Sequence, residues 1–339
     1  MLWNHESYRQ EPGEVDMTVD FANIGIPLAV ILVAMLFDMF LGDPPNRFHP
    51  VAWMGNWIAF GRRNAPKTGR FFPFLYGLLL IAVSVVVMSC IGYVLQVGCQ
   101  TLPVALNVVV QAAILNCAFS ARSLSNAANQ VFAALKVGNI ALGRHEVSYH
   151  LVSRDTSQLN EAQLAAATIE SVAENTSDSV VAPLLFYALA GLPGALVYRF
   201  VNTSDAMLGY RTAELEWLGK SAARLDDVLN WIPARITAIL ILVAALFSKS
   251  MRRRGVASGF WVWWRDHSKT ASPNAGHPMS AAAGVLGVEL EKVGHYRLGQ
   301  GLPLPSYHSI HDSIQLLWAV TWLNLLPCVC ILVWVAWWR

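Results

Sequence analysis

Charge is scarce in this sequence. Only 14% of its 339 residues are Asp, Glu, Lys or Arg, against 55% hydrophobic. That balance excludes a disordered chain and argues against an ordinary soluble enzyme. The net charge is +2, with no basic tail and no nucleic-acid-binding module, so no nucleic-acid partner is expected. Cysteine is also sparse. Cys90, Cys99, Cys117, Cys328 and Cys330 form no Cys-x-x-Cys pair, and four of them lie in or beside apolar runs. They read as membrane-buried filler, and neither a disulfide framework nor a zinc site is supported. Residues 1–23 have no basic segment before the first apolar run and no small-residue cleavage site, so a cleaved signal peptide is not expected. They are polar and acidic (Glu6, Glu11, Glu14, Asp16, Asp20) and read as an N-terminal extension to a single membrane-embedded domain, 24–339.

What the sequence has is long apolar runs. Ile24–Leu41, Phe74–Leu95, Leu102–Phe119, Val180–Phe200, Ile232–Phe247 and Ile314–Trp338 approach or reach spanning length. The expected fold is all-α: a polytopic integral membrane protein with about four to six apolar membrane segments, some able to re-enter, joined by helical cytoplasmic segments. Membrane lipid is therefore a partner. Trp318, Trp322, Trp337 and Trp338 suit aromatic belts, and Phe260–Trp264 looks interfacial. Arg47, Arg62, Arg63, Lys67 and Arg70 outnumber Asp43 after the first run and place that segment in the cytoplasm. Lys249, Arg252, Arg253 and Arg254 do the same after the fifth run. Arg122–Ser179 reads as cytoplasmic and mostly helical, Ala213–Asn230 as an amphipathic helix, and Thr270–Ser313 as a Gly/Pro-rich polar segment.

The chain is organised around Glu170–Arg211. The tetrad Asn-Thr-Ser-Asp occurs at Asn175–Asp178 and again at Asn202–Asp205, separated by an apolar stretch broken at Gly191-Leu192-Pro193-Gly194. Two geometries fit. A single spanning helix over Val180–Phe200 would set the tetrads on opposite faces, roughly 30 Å apart. A re-entrant hairpin turning at Gly191–Gly194 would bring both to one face, and would imply a built site, because irregular backbone at membrane depth survives only when buried or lining a cavity.

Glu170, Glu174 and Asp178 fall at i, i+4 and i+8, which alone reads as a solvated helix face. The second tetrad, with Tyr210 and Arg211 just after it, favours a site compensated by Mg²⁺ or by basic side chains from elsewhere. Asp226-Asp227, flanked by Arg224 and Arg235, reads equally as paired ions at a helix start or as a metal or substrate site. Ser272–Pro278 is a dense turn signal, either a plain loop or an amide nest for an anion. Gly219-Lys220-Ser221 lacks the earlier glycine of a P-loop and a preceding strand, so it is a chance match. His49, after a Pro-Pro break, is more simply structural than catalytic. Most polar residues sit in connecting segments, which suits an enzyme at the cytoplasmic interface better than a transporter.

At these residues the chain resembles the CobD/CbiB family, the adenosylcobinamide-phosphate synthases of cobalamin biosynthesis. The segments occur in family order: DMFLGDPPNRFHPVAWMG at Asp38–Gly55, VSRDTSQL at Val152–Leu159 and ESVAENTSDSVVAPL at Glu170–Leu184. NTSDAMLGYR at Asn202–Arg211, ARLDDVLNWIPARI at Ala223–Ile236 and SPNAGHPMSAAAGVLGVEL at Ser272–Leu290 follow. One departure is Met279, where family members often carry Glu. A role for that Glu would fall to a neighbour such as Glu289 or Glu291.

The resemblance implies an ATP- and Mg²⁺-dependent ligase that joins a corrinoid carboxylate, on adenosylcobyric acid, to aminopropanol phosphate or ethanolamine phosphate. It implies Mg²⁺ ligands among Glu170, Glu174, Asp178 and Asp205, joined by Asp226 or Asp227, with Glu174 and Asp205 at the catalytic centre. Arg154, Arg211 and Arg224 would pair with phosphates, with Tyr210 beside them. Asn175, Asn202 and Asn274 would orient polar groups, the Ser272–Gly276 turn would cradle a phosphate, and Asp43 or His49 would take the amine proton. It further implies a multi-pass inner-membrane location with a cytoplasmic active site, and other cobalamin-biosynthesis enzymes as conceivable partners. The alternatives are a non-catalytic membrane signalling protein of the AmpE type and, third, a transporter.

Overall fold

The computed structural model describes residues 21–338 apart from 46, 48, 249, 250 and 252–254. Most of the N-terminal extension and the basic residues Lys249, Arg252, Arg253 and Arg254 therefore lie outside the described residues. The described fold is helical, with one short β-hairpin.

A π-helical turn, Phe21–Gly25, leads into α1 (Ile26–Phe40), which stops at Gly42, where φ is +74°. α2 (Pro50–Arg63) is capped by His49, whose Nδ1 accepts from the Val51 N–H at 3.2 Å. α3 (Phe71–Gln100) has 30 residues, about 45 Å at 1.5 Å per residue, and outruns the expected Phe74–Leu95 at both ends. Its Leu79, Val83, Val86 and Val94 are exposed, as a lipid-facing surface requires. α4 (Val104–Asn116), at 13 residues, is too short to cross alone. The chain bends by 40° into α5 (Ala121–Lys136), so the run expected to end at Phe119 instead turns a corner. Asp38 makes that corner, its Oδ2 accepting the Arg122 N–H at 3.0 Å.

After α6 (Ile140–His150), α7 (Glu161–Thr176) starts from a capping box between Asn160 and Gln163. Every residue from Leu164 to Ala173 is buried. An Ala-rich helix buried on all sides through its middle belongs at the centre of a bundle, even with Thr168, Glu170 and Ser171 in that stretch. α7 packs against α5 and α6 and against later elements that close round it.

A π-helical stretch, Ser177–Val181, passes into α8 (Ala182–Leu208). By length and apolarity, Glu161–Leu208 could be one 48-residue span. Its internal contacts say otherwise. Phe186 and Tyr198 stack at 5.0 Å, and the Tyr198 hydroxyl donates to the Asp178 carbonyl at 3.1 Å. In a straight helix, residues 178 and 198 would be about 30 Å apart. The chain reverses at Ala190 (φ −139°, ψ 15°) and Gly191 (φ 66°, ψ −152°), and Pro193 sits in the first turn of the returning arm. The re-entrant geometry is the one adopted. Its first arm, residues 182–189, is about 12 Å long, less than half the hydrocarbon core. Gln96 of α3 caps the tip, its Oε1 accepting the Leu192 N–H at 2.9 Å.

Residues 211–219 form turns rather than the start of a helix, so the expected helix over Ala213–Asn230 shrinks to α9 (Lys220–Leu229). The physical reason is the tight return against α8: Gly219 lies so close to the Leu208 carbonyl that a Cβ would overlap it. A 46° bend then leads into α10 (Trp231–Phe247). α11 (Val256–Asp266) crosses α12 (Gly276–Leu286) where Gly259 meets Gly284. α12 is buried at every position, so the polar segment expected over Thr270–Ser313 contains a core helix built from its Ala/Gly run. β1 (Leu290–Lys292) and β2 (Tyr296–Leu298) form the hairpin. α13 (Tyr307–Leu323) and α14 (Leu325–Trp337) meet at buried Asn324. Among the described residues, four helices are long and apolar enough to cross a membrane, the folded-back Glu161–Leu208 counted as one, or up to six if each bent pair is one span.

Asp266 ties α11 to β2. Its carboxylate accepts from Arg265 (2.8 and 2.8 Å), Lys269 (2.6 Å) and the Gly299 N–H (2.7 Å). Burial alone would raise its pKa, but these donors hold it at about 2. Its stabilisation is therefore complete above pH ~4, the unfolded value, and is lost as pH falls towards 2. Asp266→Ala should cost ~3–5 kcal/mol, because three donors are left without their buried partner. Gly191→Ala should cost ~1–3 kcal/mol or more from the strained φ and the overlap with Gln96. Unfolding midpoints in detergent check both.

Candidate active site

The hairpin decides the site, because it brings both Asn-Thr-Ser-Asp tetrads to one face. Glu174 and Asp178 from the end of α7, Asp205 from the return arm of α8, and Asp226 and Asp227 from α9 line one cavity of about 310 Å³. Arg211 and the turn Ser272–Ala275 complete its wall. Among the described residues, Glu174, Asp178, Asp205 and Asp226 have no Lys or Arg ion-pair partner. Asp227 has one, Arg224, at 3.7 Å. Gathered like charges in a cavity are costly without a counter-charge, and all the donors are hard oxygens of the kind Mg²⁺ prefers. As the side chains stand, no three acidic, His or Cys groups among the described residues close around a single point.

The wall is held by neutral hydrogen bonds. Asp226 accepts from Asn202 (3.3 Å) and Asn230 (2.9 Å), and Asn230 in turn accepts from the Tyr198 hydroxyl (2.8 Å). Asn274 donates to the Asp227 carbonyl (2.8 Å) and accepts from Arg235 (3.3 Å), which fastens the Ser272 turn to the end of α9. The Ser272 Oγ accepts the N–H groups of Asn274 (3.2 Å) and Ala275 (3.3 Å), so those two amides of the expected nest already have a partner. Gly276 lies behind the turn, against the His267 carbonyl, with no room for a Cβ. Asp205 is backed by Gly209, where a side chain would overlap its carboxylate.

Two more lobes adjoin this cavity through shared residues, and a third adjoins one of those. Arg211 and Asp227 also line a lobe of about 230 Å³ with Tyr210, Arg224 and Lys220. Glu174 also borders a lobe of about 200 Å³ with Glu170, Arg154, Lys292 and Tyr296. There Glu170 finds a basic partner, Arg154, at 3.7 Å, while its Oε1 is buried without one. Glu170 is thus set apart from the other acidic residues. Asn175 borders that lobe and a fourth, of about 290 Å³, which contains Asp43. Asp43 accepts from Ser120 (2.8 Å) and Ser123 (2.6 Å). His49 lines none of the four. Its Nδ1 is engaged as the α2 cap, and burial lowers its pKa, with Asp43 opposing and Arg199 adding to the shift.

Met279 is buried beneath Tyr296, whose hydroxyl points to its sulfur at 3.9 Å. Glu289 and Glu291 are occupied with Arg297 at 3.9 and 2.7 Å and line none of the lobes, so neither stands in for a Glu at position 279. Arg199 and Lys292 escape the motifs. Arg199 carried one legible signal, an ionisable side chain inside an apolar run. Lys292 carried none.

The family model described as CobD/CbiB protein matches residues 31–316, from α1 into α13. The chain belongs to the CobD/CbiB family. Over 275 residues, 81% of this chain and 87% of the relative, it is 45% identical to the cobalamin biosynthesis protein CobD of Dehalococcoides mccartyi. A probable CobD of Methanocaldococcus jannaschii is 35% identical over 275 residues, 80% of this chain and 88% of its own. CobD of Klebsiella pneumoniae is 35% identical over 308 residues, 86% and 93% of the two chains. No solved structure matches. The cleft, from Asp43 to Tyr296, falls wholly within the CobD/CbiB match.

Asn230 joins the hairpin to the acidic wall. Asn230→Ala leaves Asp226 and the Tyr198 hydroxyl short of buried partners, and should cost ~2–3 kcal/mol in denaturant unfolding, against less than ~0.5 kcal/mol for exposed Val228→Ala.

Proposed function

We propose that this CobD/CbiB family member acts in cobalamin biosynthesis as an ATP-dependent amide ligase. It joins adenosylcobyric acid to aminopropanol phosphate or ethanolamine phosphate and yields adenosylcobinamide phosphate. The observation that carries the reading is the acidic cavity made by the folded-back hairpin, with guanidinium groups at its mouth. A carboxylate is a poor electrophile. Phosphoryl transfer from ATP would activate it as an acyl phosphate, releasing ADP. The amine nitrogen would then form the C–N bond as the C–O bond to phosphate breaks, the surplus ammonium proton passing to a carboxylate such as Asp43.

The acidic cavity fits Mg²⁺ in donor chemistry, with Glu174, Asp178, Asp205, Asp226 and Asp227 as the residues that would hold it. When bound, the ion would neutralise phosphate charge. Arg211 and Arg224 would grip phosphate oxygens in planar, charge-assisted pairs, and Asn202 and Asn230 fix the carboxylate of Asp226 in place. Pre-set hydrogen bonds to Asp226 would lower the reorganisation needed during reaction. The protein is multi-pass, and the excess of Arg and Lys after the first apolar run supports an inner-membrane location with the cleft open to the cytoplasm.

The test is a ligation assay on detergent-purified protein with adenosylcobyric acid, each amine phosphate and ATP-Mg²⁺, following the corrinoid by mass spectrometry and ADP in parallel. Amide product should require ATP, and Glu174→Gln and Asp205→Asn should each lower turnover by ~10²-fold or more. Folded, corrinoid-bound protein that gives no amide with either amine would overturn the ligase in favour of the non-catalytic reading. Vectorial uptake into vesicles without a covalent product would favour the transporter. Full turnover in Glu174→Gln would remove that residue from the centre.

A further inference from the structure

We infer that the lobe containing Asp43 and Arg199 is a seat for a small zwitterion: an ammonium and a phosphate monoester joined by a short carbon chain. Arg199 takes the phosphate and Asp43 the ammonium. The inference rests on the ligase reading and gives its amine substrate a place separate from the acidic cavity.

The lobe presents two opposite charges that do not use each other. Both Asp43 and Arg199 line it, yet no ion pair joins them among the described residues. Each is held back by hydroxyls. Asp43 Oδ2 accepts from Ser120 and Ser123, and Arg199 Nη1 donates to Ser179 at 3.5 Å. Each also keeps one buried atom without a partner, Oδ1 of Asp43 and Nε of Arg199. Buried charged groups left short of hydrogen bonds are unfavourable, and they persist where a ligand completes them.

Arg199 sits on the return arm of the membrane-embedded hairpin, where an ionisable side chain is costly and normally serves function. Its planar fork suits phosphate oxygens. A ligand with one charge would satisfy one wall and leave the other unmet. A ligand with both, at opposite ends, satisfies the two together. At about 290 Å³ the lobe lies at the small end of ligand cavities, the size for a short amine phosphate and too small for a corrinoid.

Calorimetry on the detergent-purified full chain tests the assignment with three probes: ethanolamine phosphate, ethanolamine and inorganic phosphate. Ethanolamine phosphate should bind at least about tenfold tighter than either half. Arg199→Ala should weaken ethanolamine phosphate and inorganic phosphate by about tenfold to a hundredfold while sparing ethanolamine. Asp43→Asn should weaken ethanolamine phosphate and ethanolamine while sparing inorganic phosphate. This charge-selective pattern separates ligand contact from general damage. Should Arg199→Ala fail to fold, Arg199→Lys keeps the charge, loses the fork, and should show a smaller loss for the two phosphates.

Ethanolamine phosphate bound no tighter than its halves, or bound equally by wild type and both variants, would overturn the assignment. Binding is read without ATP or corrinoid. Selective binding with no amide product would therefore uphold the seat and sink the ligase, whereas amide product with undisturbed binding in both variants would do the reverse.

Discussion

A reversal of chain direction within apolar surroundings is the constraint on which the cleft depends. At Ala190 and Gly191 the helix loses its regular hydrogen bonds in the middle of an apolar run, where the protein itself must supply partners. The fold supplies partners from its own side chains. Gln96 accepts the first free N–H of the return arm, and Gly92 allows α3 to approach Pro193 so closely that a Cβ would overlap the proline backbone. Gly194 does the same between the arms, leaving no room for a side chain against Phe186. With the tip fixed this way, the aromatic stack of Phe186 on Tyr198 aligns the arms, and the Tyr198 hydroxyl reaches both Asp178 and Asn230. A local backbone problem and the placement of the carboxylates are thus solved by one set of contacts.

The acidic wall is expensive in such an environment, and its surroundings reflect that. Neutral amides, not cations, hold Asp226 in place, which leaves its charge uncancelled. The guanidinium groups stand at the edges, in adjoining lobes. Where an ion is meant only to hold the fold, the pattern differs: Asp266 is surrounded by Arg265, Lys269 and a backbone N–H. The contrast between a saturated carboxylate and unsaturated ones separates a fastening from a site.

Much of this was legible in the sequence, for physical reasons. Apolar run length reports membrane helices. The repeated tetrad flanking a Gly-Pro break left two geometries, a single span or a hairpin with both polar ends on one face, of which the structure adopts the second. The six motifs fixed the family, and the comparisons agree with it. Other features were hidden because they depend on long-range packing. The small-residue run AAAGVLG after the Ser272 turn suits close helix packing, but nothing local shows that its helix is buried at every position. The nine turn residues before α9 carry helical propensity that close packing on Leu208 overrides. His49 read as structural from its neighbours and as a candidate base only by resemblance, and its Nδ1 caps a helix. Lys292 reaches the cleft only because β1 pairs with β2 and lies across α7.

Glu174 and Asn175 are consecutive residues of α7; both border the Glu170 lobe, and each borders one further lobe, the acidic cavity for Glu174 and the Asp43 lobe for Asn175. The spacing between the acidic cavity and the Asp43 lobe is therefore set along one helix with a buried middle, a ruler with one residue per mark. Two compartments hung on such a ruler cannot be drawn together by a hinge. Evolution towards a longer or shorter partner molecule in this scaffold would have to proceed by exchanging wall side chains, because the distance between compartments is set by the helical repeat itself.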